Sequence, residues 1–440
     1  MVCYFCPALP SCGDGYSKIL QMNLLIKAAT LIDSQSNYHG QTVDLRIKNG
    51  IIVDIDNDLP SHKDEQTIKY DGLHLSQGWF DSSVSMGEPG FEQRETIKNG
   101  LEVAAASGFT AVALNPNTLP VLDSSSDIAF VLQKAQNSCS AVYPIGALTR
   151  NSESVDLAEL YDMQQAGAVA FGDYQIPVSN PNLLKIALQY TQGFDGLVLS
   201  FPHQSQIAGK GIVHEGVTST NLGLKGIPGI AESLQVARDL HILEYVGGKL
   251  HIPTISTAAS VALIREAKAK GLNVSCSVAI HHLFFTDAVL SDFDTSYKVL
   301  PPLRPDTDRQ ALIEGIKDGT IDMVTSDHNP IDIEGKQVEF DNAGFGTIAQ
   351  EVTFSALNTL VSAKKAVQLL TAGRSRFVAA LPPIDKGVQA NLTLFDPRGS
   401  WTFSKENILS KSHNAAFIDA KVKGSVFGVL ANNKKHLSLS

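Results

Sequence analysis

Residues 72–84 read GLHLSQGWFDSSV, an apolar-leaning run that ends in polar residues. It is the first of eight strand candidates. The others are FTAVALN (109–115), SAVYPIGAL (140–148), AVAFGD (168–173), GLVLSF (196–201), KLHIPTIS (249–256), VSCSVAI (274–280) and IDMVTSD (321–327). Helix-like segments separate them, among them ETIKNGLEVAAAS, AESLQVARDLHILEYVG, SVALIREAKAKG and DRQALIEGIKDG. The last three place apolar residues at i, i+3 and i+4, and glycine closes several segments. Eight β–α units over roughly 300 residues predict a (β/α)8 barrel of the TIM type more readily than an open sheet. No glycine-rich phosphate loop follows the first strand, as an open dinucleotide-binding sheet would require.

Both ends of the chain read differently from this middle. VDLRIKNGIIVDID carries Asn49-Gly50 between two alternating runs, a hairpin signal. VQANLTLFD, SWTFS and AKVKGSVFGVLANN near the other end are short strand candidates with turn residues between them. Two strand-rich ends around an alternating middle predict that the ends meet in one small β-sandwich, from 22–72 and 384–440, with the barrel over 73–383. Residues 1–21 lack the basic start and apolar stretch of a signal peptide. They are expected to be a disordered leader or a mis-assigned start, with Met22 opening the fold.

The 440 residues suit a large domain with a smaller one. Thirty-five basic against 45 acidic residues give a net charge of −10, and no Lys/Arg cluster stands out, so nucleic acid is not an expected partner. No apolar run approaches the roughly 18 residues of a membrane span. Of the five cysteines, Cys3, Cys6 and Cys12 crowd the start, where a lone Cys3-x-x-Cys6 has no second ligand pair beside it. Cys139 and Cys276 read as packing residues, and a reducing cytoplasm fits this usage.

A barrel carries its active site at the C-terminal ends of its strands. Those ends hold Ser83-Val84-Ser85, Asn115-Pro116-Asn117-Thr118, Asp173, Phe201, Thr254, His281-His282 and Ser326-Asp327-His328-Asn329-Pro330. This order, with the phrases EPGFEQRETI, GFTAVALNPNTLPVLDS, YPIGALT, AGAVAFGD, HEG, GIPGIAES, HHLFFTD, PPLRPDTDR and DGTIDMVTSDHNP, resembles the dihydroorotases of the amidohydrolase superfamily. The members it resembles work beside aspartate carbamoyltransferase, and the resemblance runs from Met22 onward.

The resemblance implies a metal site that this chain does not spell out. The family's Asp-x-His-x-His at the end of the first strand is here Asp81-Ser82-Ser83-Val84-Ser85, and the substrate-gripping arginine is replaced by Gly87. The metal histidines of the fifth and sixth strands fall on Phe201 and Thr254. Where the family has a substrate-contacting asparagine and a final histidine, this chain has Leu300 and Ile331. Asn117, a substrate contact in the family, is kept, as a binding remnant or as a turn residue after Pro116. Of six implied ligand positions only Asp173 and Asp327, the latter the family's base, keep their identity.

Zinc takes imidazole, thiolate or carboxylate, and a catalytic site needs three such protein ligands. Serine hydroxyls stay protonated near neutral pH and phenylalanine has no donor. Without a metal there is no activated water at neutral pH. His203, two residues beyond Phe201, reads as an ordinary polar loop histidine, with a rescue ligand as the alternative, since a two-residue offset keeps the same face of a strand. His281, His282, His214 and His251 match family phrases outside the metal shell, and His328 is expected to bond to Asp327. Two carboxylates without a cation repel; either one is protonated, or hydroxyls such as Ser83, Ser85 and Thr254 donate to them, or geometry separates them.

Three functions follow from this. The first is a non-catalytic homologue acting as a structural partner of aspartate carbamoyltransferase, with no cofactor. The second is an active, zinc-dependent hydrolase of dihydroorotate with an unusual site. The third is a small-molecule binding protein whose pocket Gly87 and Leu300 make more apolar. A homo-oligomer is compatible with each.

Overall fold

The computed structural model describes residues 22–438, so the expected leader and its three cysteines lie outside the described residues. The chain opens with β1 (Leu24–Ile32), β2 (Thr42–Lys48), β3 (Ile51–Asp56), β4 (Gln66–Ile68) and β5 (His74–Gln77). Asn49 (φ 52°) and Gly50 (φ 78°) both take the left-handed conformation between Lys48 and Ile51, the turn geometry that lets a two-residue hairpin follow the strand twist.

The barrel strands are β6 (Trp79–Val84), β7 (Phe109–Leu114), β8 (Ala141–Gly146), β9 (Ala170–Phe171) and β10 (Val198–Leu199). A short pair, β11 (Val213–His214) and β12 (Gly226–Ile227), stands outside the barrel. The barrel then continues with β13 (Leu250–Ile252), β14 (Val274–Ala279) and β15 (Met323–Thr325). These eight form one parallel sheet in the order β15-β14-β13-β10-β9-β8-β7-β6. The sheet closes on itself where Val84 bridges His328 in parallel and the Ser85 N–H donates to the His328 carbonyl at 2.7 Å. Every residue of β6, β7 and β14 is buried, as strands covered on both faces require. Helices enter on side-chain caps: Thr96 accepts from the Asn99 N–H, and Thr257 accepts from the Ser260 N–H. The helix Asp306–Asp318 ends on Gly319 at φ 84°.

The last strands are β16 (Leu392–Thr402), β17 (Lys421–Ala431) and β18 (Lys434–Leu437). They join the first ones in a single sheet, β18-β17-β16-β5-β1-β2-β3, with β4 beside β1. Leu24, Ile26, Leu45, Leu75, Leu394 and Leu430 share its core. The run 72–84, read as one strand, is two. Gly78 divides β5 of the sandwich from β6 of the barrel, so the sandwich sheet extends to Gln77 rather than stopping at residue 72. The reason is space, because a Cβ at Gly78 would lie 2.1 Å from both Asn391 Oδ1 and Thr110 Oγ1. Trp79 joins the two layers, stacking on Phe354 at 4.7 Å and meeting Phe395 of β16 at 5.4 Å. Among the described residues no helix is long and apolar enough to cross a membrane.

Candidate functional site

The strand ends converge at the barrel mouth on a hydrogen-bonded network of uncharged donors around buried carboxylates. Asp81 is fully buried and accepts from the Ser326 N–H at 3.1 Å and from the hydroxyls of Thr325 and Ser326, which pin β6 to the end of β15. Asp327 has the left-handed φ of 46°. Its Oδ1 accepts from Ser83 Oγ at 2.8 Å and from the Tyr174 hydroxyl at 3.2 Å. Asn115 Nδ2 donates to Ser83 Oγ at 3.1 Å and to Ser85 Oγ at 3.2 Å, and Gln175 Nε2 donates to the Tyr174 hydroxyl at 3.4 Å. Burial pushes Asp327 up to about 7; the Ser83 and Tyr174 bonds offset part of that and the nearby Asp81 adds to it.

Asp173 is held apart from this network. Its two oxygens accept from the Thr149 N–H at 3.0 Å and from Thr149 Oγ1 at 2.6 Å. Burial raises its pKa against those bonds. The repulsion expected between Asp173 and Asp327 is therefore relieved by separate donors, and the charge that raises Asp327 is that of Asp81. Of the expected hydroxyl donors only Ser83 reaches a carboxylate. Ser85 accepts from Asn115, and Thr254 lines the cavity with its N–H bonded to Ser277 Oγ at 3.2 Å.

What remains at the mouth is a cavity of about 20 Å3, lined by Ser83, Asn115, Asp173, Tyr174, Phe201 and Thr254 together with Ser82 and small or apolar neighbours. That is room for about one water. No Lys or Arg lines it. Gly87 does not open a pocket, because a Cβ there would lie 1.9 Å from the Phe91 carbonyl oxygen. Leu300 packs on Ala208, Ile227 and Ala231 beside the mouth. Ile331 is buried against the loop after β15 and its N–H donates to Asn414 Oδ1 at 3.1 Å. Asn117 sits in a turn closed by the Thr118 N–H on the Pro116 carbonyl at 2.8 Å, its own Oδ1 buried without a protein partner.

His203 does not line the cavity. Its N–H closes on the Phe201 carbonyl at 2.9 Å, so the chain turns just past β10 and strand alternation no longer sets its direction. Its ring is lowered in pKa by burial and then by the charge of Arg304. His328 does not bond to Asp327. Its Nδ1 accepts from the N–H groups of Ala349 and Gln350 at 3.4 and 3.3 Å. His281 and His282 are buried with rings 4.5 Å apart, and His282 Nε2 is 3.0 Å from the Pro301 carbonyl oxygen. His251 spans Ser275 and Ser277 below the mouth, and burial lowers it to about 3. His214 Nδ1 accepts from Arg304, whose guanidinium also bonds Ser256 Oγ and faces Glu232 at 3.5 Å. Burial alone would raise Glu232, but Arg304 and the Ser256 and Thr257 donors hold it below its ordinary range.

A zinc centre does not fit these residues. Among the described residues no group of three or more His, Cys, Asp or Glu side chains is placed to hold a metal ion. Ser83 gives its proton to Asp327, Thr149 satisfies both oxygens of Asp173, and Phe201 offers no electron pair. Tyr174 and Thr149 were not singled out by sequence reasoning, and Asn115 was named only as part of the end of the second strand. Tyr174 follows a ligand position directly, which was a usable signal; Thr149 is 24 residues from Asp173 and offered none.

Comparison with known proteins adds to this geometry. A family profile described as Dihydro-orotase-like matches residues 73–260. The chain is 40% identical over 421 residues to the dihydroorotase of Pelotomaculum thermopropionicum, covering 94% of this chain and 98% of that one. It is 36% identical over 421 residues to the dihydroorotase of Geotalea daltonii, covering 94% and 99%. Among solved structures, the L-hydantoinase (dihydropyrimidinase) of Arthrobacter aurescens superposes with a TM-score of 0.81 at 20% identity over 95% of this chain and 98% of that one. A D-hydantoinase from Thermus sp. gives 0.78 at 19% over 94% and 95%. These structures share the fold.

Proposed function

Since the chain belongs to the dihydroorotase family of the amidohydrolase superfamily, we propose that it does not hydrolyse dihydroorotate and serves pyrimidine synthesis as a structural partner of aspartate carbamoyltransferase in the cytoplasm. The observation that carries the non-catalytic half is the closed mouth. Ser83, Tyr174 and Asn115 tie up Asp327 in a network that leaves about 20 Å3, whereas small-molecule sites occupy roughly 300 Å3 or more. The chemistry agrees with the geometry. Dihydroorotate is an anion, and the cavity offers it Asp173 and no cation. No residue there can generate hydroxide at neutral pH without a metal. The same closure argues against a small-molecule sensor that uses this pocket. The partner is inferred from the family resemblance.

The test has three readouts on the purified full-length chain. Metal analysis is expected to give well below one zinc per chain, incubation with dihydroorotate and added zinc to give no carbamoyl aspartate, and co-purification to recover aspartate carbamoyltransferase. One bound zinc per chain, or turnover by the chain alone, refutes the non-catalytic half. A chain that never associates with aspartate carbamoyltransferase refutes the other half.

A further inference from the structure

A second, far larger hollow opens on the same end of the barrel, outside the closed mouth. It is a groove of about 650 Å3 between the loops that follow β14 and β15 and residues 411–414 of the sandwich segment. Ile331 lies in its wall and Ile333 stands on its rim, 64% exposed. Phe293 and Val338 are exposed on the same two loops.

These loops form one preformed body. Thr295 Oγ1 donates to the Lys336 carbonyl at 2.7 Å, and Lys336 Nζ donates back to the Thr295 carbonyl at 2.7 Å. Lys298 Nζ reaches the carbonyls of Phe340 and Asp341 at 2.7 and 3.0 Å. The Phe293 ring meets Phe340 edge-on at 6.3 Å.

The exposed charges on the two loops are all acidic. Asp292, Asp294, Glu334, Glu339 and Asp341 are exposed on the two loops, and among the described residues none of them has an ion-pair partner; Asp332 alone is paired, with Arg94. Lys298 and Lys336 are buried beneath and spend their donors on main-chain carbonyls; Lys411, exposed on the far wall, donates to the Glu92 carbonyl at 2.7 Å and is, among the described residues, the one lysine there that keeps its charge in solvent.

We propose that this groove docks a protein segment in which one or two apolar side chains are flanked by lysines or arginines. The apolar side chain seats beside Ile333, and the flanking cations meet the carboxylates of the rim. Asp294 and Glu334 in the groove lining, with Asp292, Glu339 and Asp341 exposed on the same two loops, outweigh Lys411, set the partner's sign and speed its approach, while the exposed Ile333 and the apolar wall supply an anchor that water-exposed ion pairs alone do not. The inference deepens the scaffold reading by naming the face and the partner chemistry, and it rests on that reading for the partner's identity.

The test uses the full chain and two immobilised probes: a synthetic peptide alternating lysine and leucine, with a glutamate–leucine counterpart, and purified aspartate carbamoyltransferase. A patch variant, Asp292→Lys/Glu334→Lys/Asp341→Lys, is compared with a control of equal net charge, Asp64→Lys/Glu153→Lys/Asp162→Lys, made at exposed sites elsewhere. Ile333→Ser tests the anchor separately. The lysine–leucine peptide is expected to bind wild type and the control alike. It should bind the patch variant at least 10-fold more weakly and Ile333→Ser several-fold more weakly, and the glutamate peptide should not bind. Equal peptide affinity for patch variant and control, or no peptide binding to wild type, overturns the proposal. In the second arm, weaker binding of aspartate carbamoyltransferase to the patch variant supports it. Unchanged binding overturns this face while leaving the scaffold reading intact, and no binding to wild type overturns the scaffold reading and leaves the peptide arm to decide the groove. Self-association that Ile333→Ser abolishes assigns the face to a second copy of the chain and overturns the proposal.

Discussion

Replacing Asp327 with asparagine separates a closed mouth from a working metal site, because the two give opposite signs. Asp327 is buried and its pKa is pushed from 3.8 up to about 7. A carboxyl whose folded-state pKa lies above its unfolded value gives stability that is fully present below about pH 4 and is lost as the pH rises through about 7. At about 1.4 kcal/mol per pH unit, ionising Asp327 above pH 8 costs the folded chain up to about 4 kcal/mol. Asp327→Asn removes that cost and keeps an oxygen to accept from Ser83 and Tyr174. The amide adds donors with no obvious acceptor, worth about 1–2 kcal/mol against it. The expected net gain is about 2–3 kcal/mol at pH 8.5 and close to zero at pH 5, where the folded carboxyl is neutral but the unfolded one is ionised, a cost of about 1.6 kcal/mol that the amide's unpaired donors offset. For a chain of this length that is roughly 1–2 °C in Tm per kcal/mol, extending the size trend. Thermal unfolding of both proteins at pH 5 and pH 8.5 gives the result directly. In a metal enzyme the same change deletes a ligand and the catalytic base, so Tm and zinc content fall together at pH 8.5. A lower Tm for Asp327→Asn at pH 8.5, or a shift independent of pH, refutes the reasoning.

Three other substitutions check neighbouring parts of the structure. Gly87→Arg restores the arginine of the family but drives a Cβ to 1.9 Å from the Phe91 carbonyl; it should lower stability by at least about 2 kcal/mol in urea unfolding and produce no dihydroorotate binding by calorimetry. Glu232→Ala leaves Arg304, 3% exposed, without its carboxylate; about 3–5 kcal/mol of stability should be lost, read as a drop in the urea midpoint. Ser83→His supplies one imidazole where the family has a ligand, yet a zinc-binding competition assay should show no gain in stoichiometry, since Tyr174 and Asn115 still fill the mouth.

The barrel was legible in the sequence because its strands are short, buried on both faces and separated by helices with 3.6-residue periodicity, so each carries its own local signature. The Asn49-Gly50 turn was legible for the same local reason, since both residues tolerate positive φ. The break at Gly78 was not, because the atoms that forbid a side chain there come from Asn391 and Thr110. The direction of His203 depended on the fold in the same way: alternation holds along a strand, and β10 ends at Leu199.

Residue identities by themselves determined that the implied ligand set had lost its histidines, since a serine or phenylalanine carries the same donor chemistry wherever the chain puts it. They determined the eightfold alternation as well, and with it which end of the barrel would hold the site. Only the tertiary structure decided what the carboxylates at the barrel mouth bond to, where the resemblance implies a metal cluster. Asp327 lies 244 residues from Ser83 and 153 from Tyr174, and Asp173 finds its donor in Thr149. Hydrogen bonds act over about 3 Å, so partners that remote in the chain become visible only when the barrel closes and brings the strand ends together.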